Sequence, residues 1–438
     1  MTPGPSPERA RREELRRRLH AIGFDDVRFA RVEDVPDDEL LPWLAAGHHA
    51  DMAWLERTAA RRLRPEIVLP GARTVIMLGV SYWSEALRHA AAPGAPVWAR
   101  YALHEDYHDT VKAGLATAGR VLEEVCGAAP EDHRWYVDTG PVLERRWAAR
   151  AGTGFVGKNA MLISRRHGNW LLLAAILTRQ ALPPDEPIRK RLAAPADGAA
   201  PGLLCGKCTR CLDACPTGAL PRPGVLDARR CISYQTIENR GVIPRDLRAG
   251  IGARVFGCDV CLEVCPWNRF AREAERVLLV ARHELADLTL RELLELTPER
   301  FASVFRRTAV KRLKRSGLLR NACVAAGNSG DASLLGPLLR LAAEEQAVVR
   351  AHAVWAVGRL AGDAAGALLQ GLAVAEADPA VCAEYAVLGI VAGGAAPVIP
   401  QTPPPSARPR PEAAGPDAPD GRRRHAASPP SPEAGRRS

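Results

Sequence analysis

Eight of the chain's eleven cysteines fall between Cys205 and Cys265, and their spacing constrains the fold more than any other feature. "CGKCTRCLDACP" sets Cys205, Cys208, Cys211 and Cys215 two, two and three residues apart, with Pro216 after the last. "GCDVCLEVCP" repeats the pattern at Cys258, Cys261 and Cys265-Pro266, but Val255 stands where its first cysteine would be. Cys231 lies alone between the runs. In two-cluster runs of this kind, three cysteines hold one [4Fe–4S] cluster and the fourth crosses to the other. Cys205, Cys208 and Cys211 are therefore expected to share a cluster with Cys265. Cys258, Cys261 and Cys215 are then one ligand short, and Cys231 completes them. The competing reading is zinc, which usually pairs two C-x2-C arms across a spacer, four ligands per ion. Three cysteines at two-residue intervals crowd one tetrahedral ion but suit the several iron corners of a cubane. The other three, Cys126, Cys323 and Cys382, sit in apolar helical patterns and read as small buried hydrophobes.

At 438 residues the chain can hold two or three domains. Its 47% hydrophobic and 25% charged residues are those of a globular protein. No apolar run approaches the ~20 residues that span a bilayer. "WLLLAAIL" from Trp170 reads instead as a buried strand, and no hydrophobic segment follows the basic N-terminus. A cytoplasmic location without a membrane partner is expected, where clustered cysteines point to metal rather than disulfides. The formal charge of +10 permits a polyanionic partner without naming one.

The chain is expected to be α+β and multidomain. "ARTVIMLGV" (Ala72–Val80) and "NWLLLAAILT" read as strands, and Asp109–Gly127 as a helix stopped by its glycine. They place an α/β domain and its linker in 1–200 and a ferredoxin-like cysteine domain in 201–275. Helices follow in 276–395, and a tail without core-forming side chains, expected to be disordered, fills 396–438. "RNACVAAGNSGD" and "RAHAVWAVGRLAGD" resemble each other thirty residues apart (Arg320 and Arg350), the look of stacked helical repeats. The basic stretch Arg306–Asn321 is either a solvated helix face or a track for nucleic-acid phosphates.

Two clusters alone would describe an electron carrier, but roughly two hundred residues precede them. Tyr136–Ile163 packs an acid, arginines, glycines and a Lys-Asn pair together, and "ARYALHEDYHD" supplies Tyr101, Tyr107 and His108. Taken singly, these residues more often lie at the surface or core edge.

In order, "VDTGPVLER", "GFVGKN", "CGKCTRCLDACPTGAL", "CISYQTIENRG", "GCDVCLEVCPWN" and "LLRNACVAAGN" resemble the epoxyqueuosine reductase family. The resemblance spans about Arg62 to the helical repeats. It implies a cobalamin-dependent enzyme that reduces epoxyqueuosine to queuosine in the tRNA anticodon loop, with HEAT-like repeats contacting the tRNA. An external electron donor and a monomeric state go with it. By the same resemblance, Asp138 is the proton donor and borders the corrinoid together with Arg62, Tyr101, Lys158, Asn159, Ser233 and Arg240; Arg61 competes with Arg62. An aspartic acid at its free pKa of ~3.9 is a poor donor at neutral pH. Asp138 is therefore expected to be desolvated, with its pKa raised. Leu262 departs from the family, which usually carries Gln there. Rival readings are a related corrinoid reductase acting on a small molecule and a non-catalytic ferredoxin-type carrier.

Overall fold

A computed structural model of the chain describes residues 6–33, 39–85, 94–188, 201–202, 204–272 and 278–393. The tail expected to be disordered and the middle of the linker before Cys205 lie outside the described residues.

Four strands form the main sheet: β1 (Asp26–Arg31), β2 (Thr74–Ser81), β3 (His133–Val137) and β4 (Leu171–Thr178), in the order β1-β2-β4-β3. β2 and β4 read as continuous apolar runs because both faces of the sheet are covered. Side chains alternate along a strand, so Ile76, Leu78 and Val80 meet Leu15 and Leu19 of α1 (Pro7–Ile22) and Val111, Leu115 and Leu122 of α2 (Tyr107–Cys126). Val75 and Met77 turn the other way, onto Trp147 and Ala148 of α3 (Glu144–Arg150). Gly127 ends α2 in the left-handed region, as expected. All three ladders are antiparallel. The α/β expectation for this part is thus corrected to α+β: each neighbouring pair runs in opposite directions, so no parallel crossover is made.

The cysteine segment contributes short helices, among them α4 (Ile232–Ile237), and the strand Arg254–Phe256, which pairs in parallel with Val97–Trp98. The two resembling segments lie in α5 (Lys314–Ser329) and α6 (Ala347–Ala361), which pack together. Their alanines allow a close approach. A Cβ on Gly327 would lie 2.6 Å from the Trp355 ring. Cys323 is buried in this core, whereas Cys126 and Cys382 are only half-buried. Among the described residues no helix is long and apolar enough to cross a membrane.

One cation of the basic stretch points inward while most of the others stay exposed. Arg320, fully buried, donates to the carbonyls of Gln235, Asn239 and Gly241 at 2.8, 2.7 and 3.0 Å. Asn321 donates to Thr236 and Val255 at 2.9 and 2.8 Å. These two neighbours satisfy the loop carbonyls that α4 and its exit leave open, and so they fix the Cys231 segment to the helical core. Burial lowers the Arg320 pKa to about 10, still charged at neutral pH. An unsatisfied buried acceptor costs ~1–3 kcal/mol. Arg320→Leu should therefore lose about 3 kcal/mol or more in urea denaturation, while Arg306→Ala, at the exposed start of the stretch, leaves the midpoint in place.

Candidate active site

The short helices Arg210–Asp213 and Val260–Glu263 pack against each other and bring the two cysteine runs together. Cys205, Cys208, Cys211 and Cys265 are electrostatic neighbours in one group. Cys215, Cys231, Cys258 and Cys261 form the other. Burial raises the thiols of Cys205, Cys231 and Cys261, and those of Cys211 and Cys258 to about 11, with neighbouring thiols adding to it. Iron binding would thus have to release protons here. Backbone amides favour the charged sulfurs: Ser233 and Tyr234 at Cys231, Val260 at Cys258, and Ala219 at Cys215, 3.2 Å away.

The first quartet, with Lys158 and Asn159, lines a cavity of about 190 Å³. Lys158 Nζ donates to the carbonyls of Gly206 (2.7 Å) and Cys208 (3.0 Å), which places its cation inside the ligand loop. Asn159 is buried and donates to Asn169 Oδ1 and, at 3.3 Å, to the Cys261 carbonyl. It therefore ties the first quartet's wall to the second quartet.

Asp138 ends β3 on a sharp turn, with φ at +58°. Asp tolerates this left-handed conformation better than most residues. Gly140 lets the turn close: a Cβ there would lie 2.4 Å from the Tyr136 ring. The Asp138 side chain is 59% exposed, yet desolvation is the largest influence on it, as for a group in an open recess. Tyr107 Oη donates to its Oδ2 at 2.8 Å, and His108 Nε2 lies 3.1 Å from the same oxygen. His108 Nδ1 is 2.8 Å from Oδ1 of Asp106, the N-cap of α2.

The expectation of a raised Asp138 pKa is not met. Burial pushes it up, but the hydrogen bonds from His108 and Tyr107, aided by the charges of His108 and Arg312, outweigh this and hold the carboxyl below its usual range. Burial also opposes charge on His108, yet its bonds to Asp106 and Asp138 raise the imidazole's pKa. Arg312 Nη1 lies 2.8 Å from His108 Nε2. The ring's two states use this nitrogen differently: neutral, it accepts from Arg312; charged, it donates to Asp138. Glu144, within electrostatic reach of Asp138, goes the opposite way, pushed up to about 8 by burial. Two carboxyls in one site are thereby driven apart in protonation.

Tyr101 packs edge-on against Tyr107 and Tyr82, and it feels the charges of Asp138, Glu238 and Arg312. Arg240, whose Nη1 is 3.3 Å from the Leu313 carbonyl, acts on the same Glu238. Tyr101, Asp138 and Arg240 thus converge, whereas Ser233, on α4, turns its amide to Cys231. The buried Arg62, and not the exposed Arg61, donates to the Val142 carbonyl at 3.0 Å and braces the Asp138 loop from behind. Leu262 is buried in the apolar core around Trp170, so no polar contact is lost there. Sequence reading left Asp106, Tyr107, His108, Glu238 and Arg312 without roles. The available signal was Asp106, a helix-capping residue followed two positions later by a histidine.

The double set of half-buried cysteine quartets, set against a recess of ionisable groups, defines an iron–sulfur oxidoreductase. The profile described as "4Fe-4S double cluster binding domain" matches residues 204–268, and that of "Epoxyqueuosine reductase QueG, DUF1730" matches residues 62–139. An epoxyqueuosine reductase of Xanthomonas campestris is 37% identical over 367 residues, covering 82% of this chain and 97% of that protein. A crystal structure of epoxyqueuosine reductase with an epoxyqueuosine-modified tRNA-Tyr stem loop is 29% identical, with a TM-score of 0.74, covering 86% of this chain and 96% of that one. The Bacillus subtilis enzyme, with its catalytic aspartate loop swung out of the active site, aligns with a TM-score of 0.75 at 29% identity, covering 86% and 97%. The chain belongs to the epoxyqueuosine reductase family.

A raised histidine pKa adds stability that is complete below the unfolded value of ~6.5 and is lost as pH rises through the folded value. His108→Gln should therefore be most destabilising, relative to wild type, near about pH 6 and progressively less so at higher pH. Urea midpoints across pH measure this, and a pH-independent difference would contradict the Asp106–His108–Asp138 chain.

Proposed function

We propose that this chain reduces epoxyqueuosine to queuosine in the anticodon loop of tRNA. The observation that carries the reading is the Asp138 recess, wired by hydrogen bonds to His108 and adjoining the quartet of Cys215, Cys231, Cys258 and Cys261. Cys205, Cys208, Cys211 and Cys265 hold one [4Fe–4S] cluster, and Cys215, Cys231, Cys258 and Cys261 hold the other. Tyr101, Ser233, Arg240 and Asp138 border a cobalamin, whose carboxamide rim suits their phenol, hydroxyl, guanidinium and carboxylate groups. Arg62, Lys158 and Asn159 support that site through the backbone and cluster loops they hold. Bound there, cobalamin supplies the low-potential reducing chemistry at its cobalt.

Converting the epoxide to an alkene releases its oxygen as water and consumes two electrons and two protons. Asp138 stays ionised while free and holds its hydrogen-bond donors toward the recess. The proton it passes to the leaving oxygen comes from His108 Nε2, 3.1 Å away, and Asp106 stabilises the imidazolium from behind. Glu144, neutral at pH 7 by its raised pKa, stores a second proton in the same recess. Near this recess, Arg306, Lys311 and Lys314 remain exposed in the basic stretch. Together with α5 and α6, read as HEAT-like repeats, they receive the tRNA backbone through charge rather than base identity. The domain limits 1–200, 201–275 and 276–395 follow these three roles.

Asp138→Asn keeps the turn and one acceptor but cannot pass a proton. Turnover of epoxyqueuosine stem loop should fall at least ~100-fold, with iron content and corrinoid absorption unchanged; full activity would refute the role. The crossed ligand sets are tested separately. Cys265→Ala should remove the cluster of Cys205 and leave that of Cys231, and Cys215→Ala should do the reverse, as read by iron content and by the magnetic spectra of each reduced variant.

A further inference from the structure

The two quartets differ in position. Cys258 packs against the C-terminal core and Cys261 against the N-terminal one, so the inner quartet is enclosed between them. Asp259, between these two cysteines, accepts from the Arg100 amide at 2.7 Å and acts on Tyr101, which reaches Asp138. The outer quartet, half-buried like the inner one, has solvent on its Cys265 side. A cleft of about 690 Å³ opens beside it, lined by Arg210, Asp213, Glu263, Cys265, Pro266 and Arg269, none of them a member of the Asp138 recess.

The charge around the outer quartet, where Lys207 lies between Cys205 and Cys208, is uneven. Lys207, Arg210 and Arg269 are exposed and make no ion pair among the described residues. Of the two acids, Glu263 lies 3.5 Å from Arg100, leaving Asp213 to oppose three free cations. Phe270 is exposed, with the Arg269 guanidinium 4.7 Å over its ring. RNA could stack a base on such a ring, but the ring's place beside a cysteine of a redox centre fits a protein that must bring its own centre close.

We propose that this face is the electron entry port and receives a small acidic one-electron carrier protein. The proposal rests on the cluster assignment above and supplies the donor it requires. Each encounter oxidises the carrier by one electron and reduces the outer cluster by one, with no bond formed. Two encounters deliver the pair that one epoxide consumes.

The test mixes cluster-loaded full chain, without oxygen, with an acidic FMN flavoprotein reduced to its hydroquinone, and follows bleaching of the cluster absorption. Lys207→Glu combined with Arg269→Glu should slow this bleaching about tenfold at low salt. The wild-type rate should itself fall toward the variant's as salt is raised. Dithionite should bleach both proteins equally and drive equal turnover of epoxyqueuosine stem loop. Equal carrier-driven rates in the two proteins overturn the proposal, and so does a wild-type rate indifferent to salt. It is also overturned if the variant accepts carrier electrons normally but needs more stem loop for half-maximal turnover, since the face would then bind RNA. Failure of dithionite to bleach the wild type would strike the cluster assignment itself, a result distinct from all of these.

Discussion

Cys215 and Cys265 stand in each other's groups, and the rest of the molecule is arranged around that exchange. Each closes the set opened by the other run, so the two runs have to lie side by side, as their packed short helices do. Cys231 then has to come from a third segment, and that segment cannot hold itself in place. Arg320 and Asn321 hold it by taking up the carbonyls of Gln235, Thr236, Asn239 and Gly241. A solvated charge run would have left the Cys231 loop with buried unsatisfied acceptors. The helical region is thus part of the redox centre's scaffold as well as a surface.

From the inner quartet the path to the chemistry is short in space though long in sequence. Asp259 and Cys261 adjoin Tyr82 and Tyr101, and Tyr101 adjoins Asp138. Around Asp138 the recess separates charge by environment. Hydrogen bonds keep Asp138 ionised and His108 basic, while burial keeps Glu144 neutral. In the proposed role, Asp138 would draw its proton from a ring one hydrogen bond behind it, whose charged and neutral forms trade Asp138 for Arg312.

The double-cluster domain was legible in sequence because ligand spacing is local and the count leaves one cysteine for one gap. The strands at Thr74 and Leu171 and the helix ending at Gly127 were legible for the same reason: periodicity and a stop signal sit within one window. The direction of the sheet was not, since antiparallel pairing depends on partners far along the chain, up to Thr178 for Thr74. The Asp138 pKa was misjudged because desolvation can be guessed from a role, whereas the opposing bonds come from Tyr107 and His108 on α2 and a charge from Arg312, some 170 positions on. Arg312 and Arg320 looked alike in one basic run. One faces the recess and the other is sealed in the core, a difference set by which loop each helix turn meets.

The central claim is that the wired recess and its two cysteine quartets together reduce epoxyqueuosine in tRNA. The most direct measurement is anaerobic turnover of an epoxyqueuosine-containing tRNA stem loop by protein loaded with both clusters and cobalamin, with dithionite as reductant and nucleoside analysis as readout. Queuosine should accumulate at the expense of epoxyqueuosine over repeated turnovers. Unchanged epoxyqueuosine from protein verified to hold both cofactors would contradict the account.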